Sequence, residues 1–225
     1  MLVTLPVYAE KDSSEKGKLH LWLTDNTHIV DIGPVSGDDD DVAASSLLYK
    51  SGRSGDNEKE QKEELIALYE KKNNDDGKPS PSLWSVLLTA QLQRVKEVLA
   101  TWKKVDQTVS QLCPLSADED ASPENACSPD GKITDGLVGF LSGNFSENKW
   151  RDEYLGVNAT VKGNDGATED GGNKAKLHEG SVKFTGAWAE WPVGSQGENQ
   201  LYHFANYNFT LVATVSIHNV PEEGD

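Results

Sequence analysis

Basic residues are scarce in this chain: 21 Lys and Arg stand against 37 Asp and Glu, a formal charge of −16 at pH 7. Such a surface repels nucleic acid and anionic lipid, so both are set aside as partners. Long apolar runs are missing too. No stretch approaches the about 20 residues a membrane-spanning helix needs, and Met1 is not followed by the basic and then apolar regions of a secretory leader. The chain therefore reads as soluble, without membrane insertion, with Met1 either an initiator or a residue left by processing. Familiar catalytic signatures are also lacking. His20, His28, His178, His203 and His218 fall into no H-E-x-x-H or Cys/His metal spacing. The segments "GPVSG" and "SGRSG" miss the spacing of a nucleophile elbow, and no phosphate-binding loop of the G-x-x-x-x-G-K-[ST] type occurs. These absences predict no catalytic residues, no cofactor and no enzymatic activity, although 37 acidic residues leave room for a secreted hydrolase built on a buried carboxylate pair.

Cysteine is limited to two residues, Cys113 and Cys127, which bracket the polar loop "PLSADEDASPENA". Closing a loop of that size stabilises the fold by about 3 kcal/mol in the chain-entropy model. A disulfide between them predicts a secreted, extracellular or cell-surface location, outside the reducing cytosol; two buried thiols are the alternative. Three N-x-S/T sequons, at Asn144, Asn158 and Asn208, are candidate glycosylation sites.

What is present is mostly strand pattern. In "MLVTLPVYAE" Val3, Leu5 and Val7 share one face of an extended segment, with Thr4, Pro6 and Tyr8 on the other. "GKLHLWLTDN" alternates Leu19, Leu21 and Leu23 with Lys18, His20 and Trp22; "HIVDIGP" and the run at Leu47, Leu48 and Tyr49 read as two further strands. Residues 57–72 carry strong helix formers, and from Ser82 onward Leu88, Leu92, Val95, Leu99 and Trp102 recur at helical spacing. Later, "YLGVNATVK" and "SVKFTGAWAEWPV" read as strands, the second bent near Gly186. "NYNFTLVATVSIHNV" is the clearest strand of all, with Phe209, Leu211, Ala213, Val215 and Ile217 on one face. Strands before and after a helical block, without βαβ alternation, predict a single mainly β, α+β domain over residues 1–225. In this reading a β-sandwich is formed by residues 11–52 and 154–220, with a largely helical insertion at 57–110 and a disulfide-closed loop at 113–127.

The order "GKLHLWLTDN", "IVDI", Gly37-Asp38 and "LLYKSG", resumed by "GENQLYHFANYNFTLVATVSIHN", resembles the TasA/camelysin family of secreted biofilm fibre proteins, related archaeal bundling pilins included. The likeness covers residues 1–52 and 178–219 and leaves the middle uncovered. It implies a jelly-roll-like sandwich that polymerises into an extracellular filament by donating residues 1–10 to a neighbouring subunit. Val3, Leu5 and Val7 would then fill pockets of the neighbour, and the partners would be copies of the same chain in a heterologous, open assembly. Residues 1–10 pairing within their own domain is the alternative. Two further candidates stay open. The run Asp38, Asp39, Asp40 and Asp41 could hold calcium or be a solvated acidic turn. Trp22, Trp188 and Trp191 could form a glycan-binding platform in a monomeric adhesion module, or pack internally.

Overall fold

The computed structural model describes residues 1–8, 17–38, 40–51, 63–75, 78–112, 133–163, 175–195 and 201–217. Among these, strands dominate, and the protein is mainly β. Strands β1 (Leu2–Tyr8), β2 (Gly17–Thr24) and β3 (Ile29–Pro34) form an antiparallel sheet in that order. Leu19, Leu21 and Leu23 of β2 point into the core at 3% exposure or less, and the alternation the sequence shows is what allows one face to be buried. β1 pairs along its whole length with β2 of its own chain, Val3 opposite Trp22 and Val7 opposite Lys18. Val3, Leu5 and Val7 are thus carried by the edge strand of their own sheet, which removes the structural basis for strand donation. Pro6 is tolerated because an edge strand has one side without ladder partners.

A second sheet consists of β4 (Val42–Lys50), β5 (Glu64–Asp75) and β6 (Lys78–Leu87). Here the helical insertion expected over 57–110 fails over Glu64–Asp75 and Lys78–Leu87, which are strands. Residues 64–75 hold strong helix formers, yet Leu65, Ala67 and Tyr69 alternate as buried positions, and pairing on both sides outweighs the local propensity. Pro79 and Pro81 sit in β6, the outer strand, where the missing N–H costs no ladder bond. The Thr4 and Ser45 hydroxyls, 2.8 Å apart, tie the first sheet to the second.

The α-helix starts later than Ser82: α1 spans Thr89–Ser110. Its buried face is Val95, Val98, Trp102, Val105 and Val109, at steps of three and four, whereas Leu99 is 47% exposed and lies outside it. Beyond the helix come β7 (Leu141–Ser146), β8 (Lys149–Asp152), β9 (Ala159–Gly163), β10 (Ala175–His178), β11 (Ser181–Phe184) and β12 (Ala187–Glu190). Four of these form a sheet of order β12-β9-β8-β7, and β10 and β11 pair as a separate hairpin. The expected bend at Gly186 divides two strands of different sheets, and its φ of +58° suits glycine. The segment 207–217 has no strand partner among the described residues; Phe209, Leu211, Val215 and Ile217 are 59% to 76% exposed. One core runs from Leu19 through Leu65, Ala67, Val98 and Trp102 to Tyr154, so both early sheets, the helix and the segment after β8 share it.

Candidate functional site

The densest group of interacting polar side chains lies where the β2–β3 turn, α1 and the loop 152–157 meet. The turn begins at Asp25, whose Oδ1 accepts the N–H groups of Thr27 at 2.9 Å and His28 at 2.7 Å, the local arrangement by which an aspartate caps its own turn. Oδ2 lies 3.0 Å from His28 Nδ1. Partial burial pushes the Asp25 carboxyl up, but the His28 N–H and ring and the Thr27 N–H outweigh it and hold the group below its ordinary value. The buried His28 ring stacks on Tyr154, centroids 4.2 Å apart, and tilts against Trp102 at 5.1 Å. Its Nε2 has no hydrogen-bond partner among the described residues.

Tyr154 is fully buried. Its hydroxyl donates to Asp106 Oδ1 on the helix at 2.6 Å, and its carbonyl accepts the Trp102 indole N–H at 2.8 Å. Burial, the bond to Asp106 and the neighbouring carboxylates of Asp106, Asp152 and Asp25 push the phenol up, so it stays protonated. Asp152, also fully buried, anchors the loop itself: Oδ1 accepts from Phe140 N and Tyr154 N, Oδ2 from Gly156 N and Val157 N, at 2.8 to 3.2 Å. Packing there is tight enough that a Cβ at Gly139 would come within 2.3 Å of Val157 Cγ2. The arrangement joins chain segments through hydrogen bonds and ring contacts, and among its described polar side-chain atoms His28 Nε2 has no partner. It is a junction rather than a reactive centre.

The remaining sequence candidates are dispersed. Asp38 pairs with Lys18, Asp40 Oδ1 lies 2.5 Å from Lys71 Nζ, and Asp41 lies 3.4 Å from Lys72. Asp40 Oδ2 also accepts the Gly37 N–H at 2.9 Å and the Tyr69 hydroxyl at 3.4 Å. Lys71, then the Gly37 N–H, overcomes burial to hold the Asp40 carboxyl below its ordinary range. The described carboxylates of the run are thus matched by lysines, and Asp39 lies outside the described residues. Among the described residues no group of three or more His, Cys, Asp or Glu side chains is placed to hold a metal ion. Cys113 and Cys127 also fall outside the described residues. Asn144 and Asn208 are exposed, whereas Asn158 accepts the Asp152 N–H through Oδ1 at 2.9 Å.

Trp22 and Trp188 sit in different sheets, and Trp191 donates its indole N–H to the Val157 carbonyl at 2.8 Å, so the three form no common platform. An open cleft of about 490 Å³ lies beside the start of α1, lined by Glu63, Thr89, Ala90, Leu92, Gln93 and Lys96. Tyr49 donates to Glu63 at 3.0 Å, and Glu63 also pairs with Lys96. The Glu63 contact pushes the Tyr49 phenol up, and the Lys96 ammonium holds the Glu63 carboxyl down. Sequence reasoning missed the whole junction. The D-x-x-H spacing of Asp25 and His28 is a turn signal that was available, whereas nothing local marks Asp106, Asp152 or Tyr154.

Comparison with known proteins gives this geometry a context. Residues 133–225 match the family model described as "Trans-sialidase, C-terminal domain", and residues 1–70 match the one described as "BNR repeat-like domain". The unmatched stretch between them contains α1. Sialidase 85-1.1 of Trypanosoma cruzi is 30% identical over 222 residues, covering 98% of this chain and 24% of its own length. A second Trypanosoma cruzi protein, named Sialidase, is 33% identical, covering 98% of this chain and 17% of its own. Trypanosoma rangeli sialidase in complex with the inhibitor DANA superposes with a TM-score of 0.65 at 33% identity, over 92% of this chain and 28% of that one. A mutant of that sialidase displaying trans-sialidase activity superposes with a TM-score of 0.64 at 31% identity. The chain spans about a quarter or less of the curated relatives it matches. These likenesses overturn the resemblance to TasA/camelysin fibre proteins, which rested on period-2 strand patterns that any half-buried strand shares. With it fall the filament, pilus and biofilm reading, and the expectation of a protein without enzymatic character: over nearly its whole length the chain is similar to sialidases.

Proposed function

We propose that this chain serves a sialidase-type glycosidase, and that its own part is to join a repeat-like β unit to a C-terminal β domain through α1. The observation that carries the reading is the coincidence of the two matches with the junction. Residues 1–70 and 133–225 match separate descriptions, and the contacts among His28, Trp102, Asp106 and Tyr154 fasten the first to the second across the helix. Substrates of this class carry sialic acid on a glycan, the ligand named in one of the superposed Trypanosoma rangeli structures.

Sialidases use a tyrosine nucleophile in place of one carboxylate of the usual glycosidase pair. Three phenols here donate to carboxylates, Tyr49, Tyr69 and Tyr154, and all three hold their protons more tightly than a free phenol. That is opposite to what a nucleophile needs. The described residues therefore act in this reading as scaffold. Its further parts are one folded body over residues 1–225 with the four-stranded sheet as half of a β-sandwich, a secreted or cell-surface location, a Cys113–Cys127 bridge, and sugars at the exposed Asn144 and Asn208. No described helix is long and apolar enough to cross a membrane.

Antibodies raised against residues 1–225 would isolate the native protein for assay of sialic acid release from sialyllactose and of transfer to lactose. Release or transfer that disappears on immunodepletion supports the proposal. Protein of verified mass that neither hydrolyses nor transfers above the depleted control refutes it.

A further inference from the structure

Two exposed tryptophans, Trp84 and Trp188, lie outside the junction, and the second stands beside an ion pair. Trp188 lies on β12, the outer strand of the four-stranded sheet, directly opposite Lys162 of β9, with Glu190 two residues further on the same face. The opposite face carries Ala159 and Val161, which are buried, so Trp188 belongs to the solvent side and is 44% exposed. The indole does not hang free. Its N–H donates to Glu190 Oε1 at 2.5 Å, and Lys162 Nζ reaches Glu190 Oε2 at 2.6 Å. Both oxygens of Glu190 are engaged, one fixing the edge of the indole and the other the ammonium. Among the described residues no aromatic ring packs on Trp188.

From this arrangement we infer that Trp188, Glu190 and Lys162 form a binding site for a neutral pyranose. A pyranose presents an apolar C–H face that stacks on an aromatic ring, while its hydroxyls need donors and acceptors around the rim. The indole supplies the platform, already held in one orientation, so little side-chain freedom is lost on binding. Glu190 and Lys162 supply an acceptor and a donor at its edge, and Thr160, opposite Glu190 on β9, adds a hydroxyl on the same face. The charge balance selects against an anionic sugar. The Lys162 ammonium is neutralised by Glu190, and the chain carries a formal charge of −16, so the carboxylate of a sialic acid gains no uncompensated cation. This site binds without reacting, and its ligand is the uncharged end of a glycan rather than the sialylated one. The inference goes beyond the glycosidase reading, and its test contains no hydrolytic step, so either can fail alone.

The experiment follows the Trp188 indole ¹H–¹⁵N resonance of the full chain during titration with lactose, methyl α-mannoside and sialyllactose. The expected result is a saturable shift with at least one neutral sugar and weaker binding of sialyllactose. Trp188→Ala should abolish saturable binding followed by calorimetry, while Trp84→Ala, which removes an exposed tryptophan of the second sheet, retains it. Trp188→Tyr keeps a ring for stacking and should bind within about tenfold, a difference of roughly 1.4 kcal/mol. Near-UV circular dichroism confirms that each variant is folded. No shift with either neutral sugar, binding that survives Trp188→Ala, or tighter binding of sialyllactose than of lactose would each overturn the inference.

Discussion

Replacing Asp152 by asparagine changes one atom per side chain, and the structure makes that change expensive. Each carboxylate oxygen accepts two backbone N–H groups, from Phe140 and Tyr154 on one side and from Gly156 and Val157 on the other, and the side chain is wholly buried. An amide can offer only one oxygen. Whichever way it is turned, its NH₂ faces two N–H donors that then have no acceptor. Leaving a buried donor unsatisfied costs about 1–3 kcal/mol, so Asp152→Asn should cost about 2–6 kcal/mol, before counting the loss of charge assistance. In a chain of this length each kcal/mol moves Tm by about 2–4 °C, so a fall of at least about 4 °C is expected in thermal unfolding followed by near-UV circular dichroism. Glu97→Gln, which removes an exposed carboxylate whose partner is Arg94 on the same helix, is the control and should shift Tm by no more than about 2 °C. If Asp152→Asn is as mild as the control, the loop 152–157 is not held by this carboxylate and the account of the junction fails.

Helix orientation can be checked by two truncations: Val98→Ala, at a fully buried position, should cost about 1–3 kcal/mol in urea unfolding, and Leu99→Ala, half-exposed, no more than about 0.5 kcal/mol. Equal costs would mean that α1 buries a different face. Acid sensitivity should report Asp40. Its folded-state pKa lies below the ordinary value, so the unfolded state takes up the proton more readily; the stabilisation is complete above about pH 4 and disappears as pH falls through the lower folded value. Asp40→Asn should flatten the stability profile in that acid range while lowering stability at neutral pH, and an unchanged acid limb would count against the Lys71 pairing. Finally, Leu48, Ile66 and Leu87 align in register on one face of the second sheet, beside the exposed Leu68 and Leu83, a contiguous apolar surface. The purified chain should bind a hydrophobic dye and self-associate in sedimentation, and the double variant Leu48→Lys, Leu87→Lys should reduce both; no reduction would place the association elsewhere.

Legibility in the sequence followed the reach of the interaction that decides each element. β2 was readable because Leu19, Leu21 and Leu23 alternate within one strand, and β3 because Gly33 and Pro34 end it. β5 was not: Glu64 to Lys72 are good helix formers, and what makes them a strand is pairing with β4 and β6, one of them more than a dozen residues upstream. The start of α1 was misplaced because Pro81 looks like a first-turn residue but occupies an edge strand. Leu99 was placed on the buried face because 88, 92, 95, 99 and 102 recur at steps of four and three, although the 95, 98, 102, 105, 109 series fits the helical repeat equally well. For 207–217 the alternation is real but no described strand lies beside it, and alternation alone specifies a face without specifying a partner. The junction was illegible for a related reason. Asp106 and Tyr154 are 48 residues apart, and neither carries a local signature of the other.

That distance bears on why the junction is built from polar as well as apolar groups. Apolar contacts such as Val98 and Trp102 against the core stabilise many nearby orientations of α1 about equally, since hydrophobic burial is non-directional. The Tyr154 hydroxyl on Asp106, the Trp102 N–H on the Tyr154 carbonyl and the four N–H groups on Asp152 each accept a narrow range of distance and angle. Buried and satisfied, they add little net energy over an apolar contact, but a rotation of the helix by a fraction of a turn would break the two that α1 makes, from the Trp102 N–H and to Asp106, at about 1–3 kcal/mol each, while the bonds to Asp152 hold the loop that receives them. The directional bonds thus select one orientation from those that burial permits. A glycosidase that places its sugar through groups on more than one structural unit depends on that fixed geometry, because small displacements of positioning groups lower the rate steeply. Under the proposed glycosidase reading, the contribution of the junction is this fixed orientation and no reacting atom.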